Sequence, residues 1–306
     1  MSRVIFSLYI DIPEIELDSQ PPYLGEEISK TIRTKQVFQD NYDFLKTRQS
    51  LYAEKCKTDY ILYEYGQEYI DYKNAFNKKY PFITTYNIVN FYKIKKLYDL
   101  SEIYDEILYL DFDVVPATSL NFFDSIDFSK GIAISDNFES REYSDRKNFT
   151  LDYLIRKSVI MNEQGQVPSN RSPNAKYWNT LALNYINLGS TSSRSYNTGI
   201  IGCTSDQLNE LSYWKNFDDV IVQMKELMDD DFFPDHIRKC FGYDNETIWG
   251  HKVELNNVKT QELYKNWHFR MWKQNDIPDY VNFIHVIDKN FDKVKQWLID
   301  HEKINL

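Results

Sequence analysis

Residues 105–116 read Asp105-Glu106-Ile107-Leu108-Tyr109-Leu110-Asp111-Phe112-Asp113-Val114-Val115-Pro116. The apolar run predicts a short buried strand that ends in two acids one residue apart. Side chains alternate faces along a strand, so this spacing puts Asp111 and Asp113 on one face and packs Phe112 on the other. Two carboxylates held that close repel. The repulsion either raises one pKa or is cancelled by a cation, and a divalent metal carrying a diphosphate is the common way of cancelling it. The motif therefore points to metal-assisted chemistry on a phosphate-containing substrate.

Upstream of this motif, strand-like and helix-like segments alternate. Val4 to Ile10 forms an apolar run that reaches Asp11 before any small-residue cleavage site, which reads as a first core strand rather than a secretion signal. Gly25 to Cys56 carries Val37, Phe44, Leu45, Leu51 and Tyr52 at helical spacing and is expected to be helical. Thr58 to Tyr63 reads as a strand, Gly66 to Lys79 as a helix closed by Pro81, and Tyr86 to Leu100 as an amphipathic helix. Strands separated by helices imply parallel pairing, with ligands beyond the carboxyl ends of the strands. Asp111 and Asp113 fall at such an end.

Downstream, Gly131 to Asp136 is a further strand finishing on an acid. The pattern weakens over 137–196, where Ser169 to Asn174 and Gly189 to Arg194 have loop composition, and this stretch is expected to be a lid or acceptor region. Order returns at Asn197-Thr198-Gly199-Ile200-Ile201-Gly202, with helices over Gln207 to Trp214 and Val220 to Met228. No linker separates two composition regimes. The expectation is one α/β domain with a mixed, mostly parallel central sheet, in which 1–255 is catalytic and 256–306 packs back onto it.

Composition narrows the function. The chain has 306 residues, 42% of them hydrophobic, which is enough for a substantial core. Its net charge of -10 argues against a nucleic-acid surface, which needs a basic face. An anionic substrate must then be gripped locally. The three cysteines, Cys56, Cys203 and Cys240, have no metal-ligand spacing and make no even disulfide set, which suggests a reducing compartment. No stretch approaches the ~18 consecutive apolar residues of a membrane span. A cytoplasmic protein is expected.

Taken in order, these motifs resemble nucleotide-sugar glycosyltransferases of the GT-A fold, in particular glycosyltransferase family 8, which includes glycogenin and bacterial lipopolysaccharide galactosyltransferases. The resemblance runs from about Val4 to Lys289 and implies a Rossmann-like GT-A fold. It implies Mn²⁺, or Mg²⁺, held by Asp111, Asp113 and His285, the last in Phe283-Ile284-His285-Val286-Ile287-Asp288-Lys289. It also implies donor contacts from Lys93, where the family usually carries Arg, from the acid Asp136, and from Lys289. The Pro-Trp that usually follows this Lys is absent. Asp11 joins the donor-binding candidates. Asn197-Thr198-Gly199 resembles the family's Asn-x-Gly segment and Asp244-Asn245-Glu246 its Asp-Gln-Asp, making Asn197, Asp244, Asn245 and Glu246 the catalytic candidates. The implied reaction moves a hexose from a nucleotide diphosphate sugar, in this family a UDP-sugar, to a saccharide or other hydroxyl acceptor, with retention at the anomeric carbon. Were the reaction inverting, Asp244 or Glu246 would be the general base.

The chemistry of these residues is consistent with that reading. Cleavage of a sugar–phosphate bond leaves negative charge on the diphosphate, where a divalent ion stabilises it. Carboxylates suit Mg²⁺ or Mn²⁺, and one imidazole ligand favours Mn²⁺. Two other readings compete. A HAD-like phosphatase also ends a strand in Asp-x-Asp, but normally near the start of its domain. A non-catalytic nucleotide- or sugar-binding module would keep the fold without turnover. Locally, His285 sits among apolar residues as a core histidine would, Asp229-Asp230-Asp231 reads as a solvated loop, and Trp267 to Trp272 reads as core.

Overall fold

A computed structural model describes residues 1–17, 30–137, 173–190, 194–230, 238, 241–272 and 276–303. The chain forms two compact units. One comprises Met1–Ala133, Gly199–Ser205 and Gln261–Leu306, the other Ile134–Thr198 and Asp206–Thr260. The strands are β1 (Arg3–Tyr9), β2 (Asp59–Glu64), β3 (Glu106–Leu110), β4 (Val114–Pro116), β5 (Ile132–Asp136), β6 (Tyr196–Thr204), β7 (Thr260–Gln261), β8 (Phe269–Met271) and β9 (Phe283–Val286). They make a six-stranded sheet ordered β2-β1-β3-β6-β5-β7 and a three-stranded sheet ordered β4-β9-β8.

The first unit has the expected α/β logic. β2 and β3 flank β1 and run parallel to it, so each connection must cross over through helices. Those helices are α1 (Lys30–Asp40), α2 (Tyr42–Cys56), α3 (Gln67–Lys79) and α4 (Thr85–Ser101). β6 joins β3 antiparallel, with Leu108 opposite Gly202 and Leu110 opposite Ile200, which makes the sheet mixed. β3 is buried along its whole length, as a central strand covered on both faces must be. β4 pairs antiparallel with β9 and β9 parallel with β8, so the C-terminal strands sit directly against the segment that follows the two acids.

Three expectations need correction. The helix expected from Gly25 to Cys56 is broken at Asn41, between α1 and α2; 18–29 lie outside the described residues. Asn41 turns its side-chain amide onto the Val37 carbonyl at 2.8 Å, the kind of local bond with which Asn competes against the helix. Second, β3 ends at Leu110, so Asp111 and Asp113 stand in a turn closed by Val114 N–H donating to the Asp111 carbonyl at 2.9 Å. The turn, not strand alternation, brings the two carboxylates together. Third, the stretch without clear pattern contains a long helix, Pro173–Leu188. Its first residue lacks an N–H that would have had no partner there, and Tyr177, Trp178, Leu181, Ala182 and Leu183 are buried. The expected lid or acceptor region lies outside the described residues from 138 to 172.

Among the described residues, no helix is long and apolar enough to cross a membrane. Cys56 and Cys203 are buried free thiols, and Cys240 lies outside the described residues.

Candidate metal centre

The acid turn is built from below by a buried polar brace. Gln49, fully buried on α2, donates its amide to the Asp111 carbonyl at 3.0 Å and to the Val114 carbonyl at 2.9 Å. Its own oxygen accepts from Ser7 Oγ at 2.5 Å and Tyr60 OH at 3.0 Å. Asp111 N–H donates to the Gly199 carbonyl at 2.7 Å, carrying the β3–β6 ladder one step past the strand. Phe112 anchors the middle of the turn, with its ring 4.9 Å from Tyr9 and 5.8 Å from Tyr42. A backbone tied at this many points has little freedom, so the carboxylates are presented in a fixed place.

β9 brings the third group. His285 lies opposite Val114 in the β4–β9 ladder, and its Nε2 is 3.4 Å from Asp113 Oδ1 and 3.8 Å from Asp111 Oδ2. One ligand atom from each of Asp111, Asp113 and His285 lies within 4.8 Å of the other two. Two carboxylate oxygens and one imidazole nitrogen form a donor set suited to a divalent ion, with the nitrogen favouring Mn²⁺ over Mg²⁺. The residues present therefore fit the metal that the sequence implied.

Two ammonium groups attend the carboxylates. Lys289 Nζ donates to Asp113 Oδ2, and Lys93 Nζ on α4 lies 3.4 Å from Asp111 Oδ1 and 5.0 Å from the centre of the Tyr109 ring. Lys289 has φ of +61°, in the left-handed region that costs a non-glycine residue about 1–2 kcal/mol. Such strain is characteristic of functional positions, and here the turn aims the ammonium at Asp113. Burial pushes the Asp113 carboxyl up, but Lys289 and His285 outweigh it and hold the group below the usual carboxylate range. Asp113 is thus ionised at neutral pH.

Tyr109 and His268, neither of them a candidate from sequence, complete the cluster. Tyr109 OH donates to Asp111 Oδ1 at 2.5 Å; burial and the neighbouring carboxylate push its pKa far above the ordinary phenol value, so it keeps its proton. His268 Nε2 lies 2.9 Å from His285 Nδ1, with the two ring planes 20° apart. Burial, then the neighbouring His285 and Arg270, push the His268 pKa well below the ordinary value. Tyr109 was legible in hindsight, standing two residues before Asp111 in the chain. Nothing in the sequence pairs His268 with His285.

The remaining candidates are spread over both units. Asp11 is held by Lys35 and, at 3.0 Å, by Gln39. The second unit contains Asp136, Asn197, Asp244, Asn245 and Glu246. Asp136 ends β5, next to Asn137, whose Oδ1 is 3.4 Å from Asn197 Nδ2. Asp244 caps the helix Asn245–Leu255, accepting from Thr247 N–H at 2.9 Å and Thr247 Oγ1 at 2.6 Å. Burial pushes the Asp244 carboxyl up, against the pull of Lys176 and Thr247. Glu246 pairs with Lys176 and accepts from Thr198 N–H at 2.9 Å, and Asn245 Nδ2 donates to Thr198 Oγ1 at 2.8 Å. Asp244, Asn245 and Glu246 thus each hold local structure.

No protein-family model matches the chain, and no curated protein matches it. Among solved structures, it is similar to an active-site mutant of the galactosyltransferase LgtC at 11% identity and a TM-score of 0.44, over 93% of this chain and 87% of that one. A complex of LgtC with donor and acceptor sugar analogues gives 11% identity and a TM-score of 0.43 over the same shares. Mouse xyloside xylosyltransferase 1 gives 10% identity and a TM-score of 0.40, over 94% and 98%. At these TM-scores the likenesses carry no functional weight, and the function must be read from the side chains themselves.

Proposed function

We propose that the chain is a metal-dependent glycosyltransferase that moves a hexose from a nucleotide diphosphate sugar, a UDP-sugar by resemblance, to a saccharide or other hydroxyl acceptor with retention. The observation that carries this reading is the Asp111, Asp113 and His285 trio within 4.8 Å, attended by two lysines. The two lysines balance the two carboxylates, so a bound divalent ion would make the cluster net positive, which a protein of net charge -10 needs to hold a diphosphate.

Asp111, Asp113 and His285 would hold Mn²⁺ or Mg²⁺, which supplies Lewis-acid stabilisation of the charge left on the departing diphosphate. Lys289 and Lys93 are the chain's own cations for the phosphate oxygens, each exchanging a carboxylate partner for a phosphate one. Tyr109 and the Gln49 brace hold the carboxylates in position, which preorganises the site before substrate arrives. The donor-binding roles of Asp136 and Asp11, and the catalytic roles of Asn197, Asp244, Asn245 and Glu246, belong to this proposal as individual assignments. An Asp244→Asn or Glu246→Gln variant that turns over normally would remove that residue from the chemistry.

The test is to incubate the protein with a panel of UDP-sugars, Mn²⁺ and hydroxyl acceptors, following UDP release and the anomeric configuration of the product by NMR. Release with one donor, lost on chelation and in Asp111→Asn and Asp113→Asn, is the expected result. Hydrolysis of simple phosphomonoesters without use of any UDP-sugar would favour the HAD-like phosphatase. Metal-dependent nucleotide binding with no sugar release, acceptors present, would favour the binding module.

A further inference from the structure

We infer that His268 is a positioning residue for the metal centre: it accepts a hydrogen bond from His285 Nδ1–H and so holds the His285 Nε2 lone pair towards Asp111 and Asp113. The inference deepens the proposed function and rests on it. His285 Nδ1 and His268 Nε2 are 2.9 Å apart, in rings whose planes differ by 20° and whose centres are 5.2 Å apart, so the two nitrogens meet edge to edge. A neutral imidazole carries one N–H, so in any N···N bond between two such rings one nitrogen donates and the other accepts. If His268 donates, His285 Nδ1 accepts and the His285 proton sits on Nε2, facing the carboxylates, where it blocks a metal. If His285 donates, Nε2 is bare. Only the second arrangement makes His285 a ligand, and the partner at the far nitrogen is what selects it.

The environment of His268 argues that the ring is there for this purpose. It is 3% exposed, and its Nδ1 is buried with no hydrogen-bond partner among the described residues. Leaving a buried polar atom unmatched costs stability, a cost that an apolar side chain of similar size would not incur. In the chain it stands between Trp267 and Phe269, both core residues, and its backbone N–H donates to the Tyr264 carbonyl at the end of the short helix Tyr264–Trp267, just before β8. Packing alone would accept Phe at this position. The feature Phe lacks is the acceptor nitrogen that meets His285.

The deciding experiment measures Mn²⁺ affinity directly, by loss of the free-ion electron paramagnetic resonance signal, in wild type, His285→Ala, His268→Phe and His268→Gln. Outer partners of metal-ligating histidines typically contribute 10–100-fold to metal affinity. His268→Phe is expected to bind Mn²⁺ about 10–100-fold more weakly with its melting temperature preserved. His268→Gln, whose side-chain oxygen reaches about as far as the histidine Nε2, is expected to recover most of the loss. Equal affinity in wild type and His268→Phe overturns this inference alone. Absence of Mn²⁺ binding by wild type overturns both it and the metal-dependent reading. Should His268→Phe fail to fold, long-range ¹H–¹⁵N spectra of the Mg²⁺-loaded wild type decide the matter: a proton on His285 Nδ1 supports the inference, and one on His268 Nε2 overturns it.

Discussion

Replacing Asp113 by Asn keeps the shape of the side chain and removes its charge. The residue is 5% exposed and bonded to Lys289. Removing one partner of a buried ion pair costs about 3–5 kcal/mol when the other charge is left buried. The Lys289 side chain is 23% exposed, so water recovers part of that loss and about 1–2 kcal/mol is expected. With an unfolding entropy of about 2.1 cal/mol/K per residue over 306 residues, roughly 0.64 kcal/mol/K in all, the metal-free variant should melt about 2–3 °C below wild type. Manganese reveals the second effect. A ligand at one hundred times its dissociation constant stabilises the native state by about 2.7 kcal/mol, or roughly 4 °C here. Chelator-stripped wild type should show that rise by scanning fluorimetry and Asp113→Asn should not, while Asp124→Asn, which removes the charge of an exposed carboxylate paired with Arg3, should behave as wild type. Because the folded Asp113 carboxyl lies below its ordinary value, its contribution is complete above about pH 4 and is lost as pH falls through the folded value. The metal-free gap should therefore persist at pH 7 and close only in acid. A manganese-induced rise in Asp113→Asn equal to that of wild type would refute the assignment of this carboxylate as a ligand.

Gly250 lies inside the helix Asn245–Leu255, where Ala would ordinarily add about 1 kcal/mol. A Cβ there would stand 2.7 Å from the Arg194 carbonyl oxygen and 2.9 Å from Thr180 Cγ2, so Gly250→Ala should instead destabilise by about 1–2 kcal/mol in urea unfolding; a gain would show that the neighbours give way. Burial, with Lys252 beside it, pushes His251 down to about 4, its Nδ1 lying 2.8 Å from Asn184 Oδ1. The unfolded chain takes up this proton near pH 6.5 and the folded one near 4, so up to about 3 kcal/mol of stability should be lost as pH falls from 6.5 to 4. His251→Gln should flatten that slope, and an unchanged slope would count against it. Gln49→Leu strips the brace under the acid turn and leaves the Val114 carbonyl without that donor, which should cost about 2–4 kcal/mol and weaken Mn²⁺ binding as well. Wild-type manganese affinity in that variant would mean the turn is held by its other contacts.

Much of the first unit was legible because its signals are local. The alternation of apolar runs and helical spacing before Asp111 is repeated in β1, β2, α3, α4 and β3, and Gly66 and Tyr80 bound α3 as the breakers predicted. The break at Asn41 and the helix Pro173–Leu188 were not, since one depends on a single side chain turning onto its own backbone and the other buries Asn179, Thr180 and Asn184 beside its apolar residues, so polarity does not mark its exposed face.

The order of residues along the chain was sufficient to single out Asp111 and Asp113 and to suggest an α/β sheet carrying them, and the family resemblance added His285. It could not join them, because His285 lies 172 positions beyond Asp113, and only the antiparallel pairing of β9 with β4 brings the imidazole to the carboxylates. Folding also supplied what no linear pattern encodes: Lys289 strained into a turn against Asp113, and His268 behind His285. Residue chemistry is a property of each side chain, whereas protonation, tautomer and charge balance arise from neighbours, and neighbours distant in sequence exist only once the chain has folded.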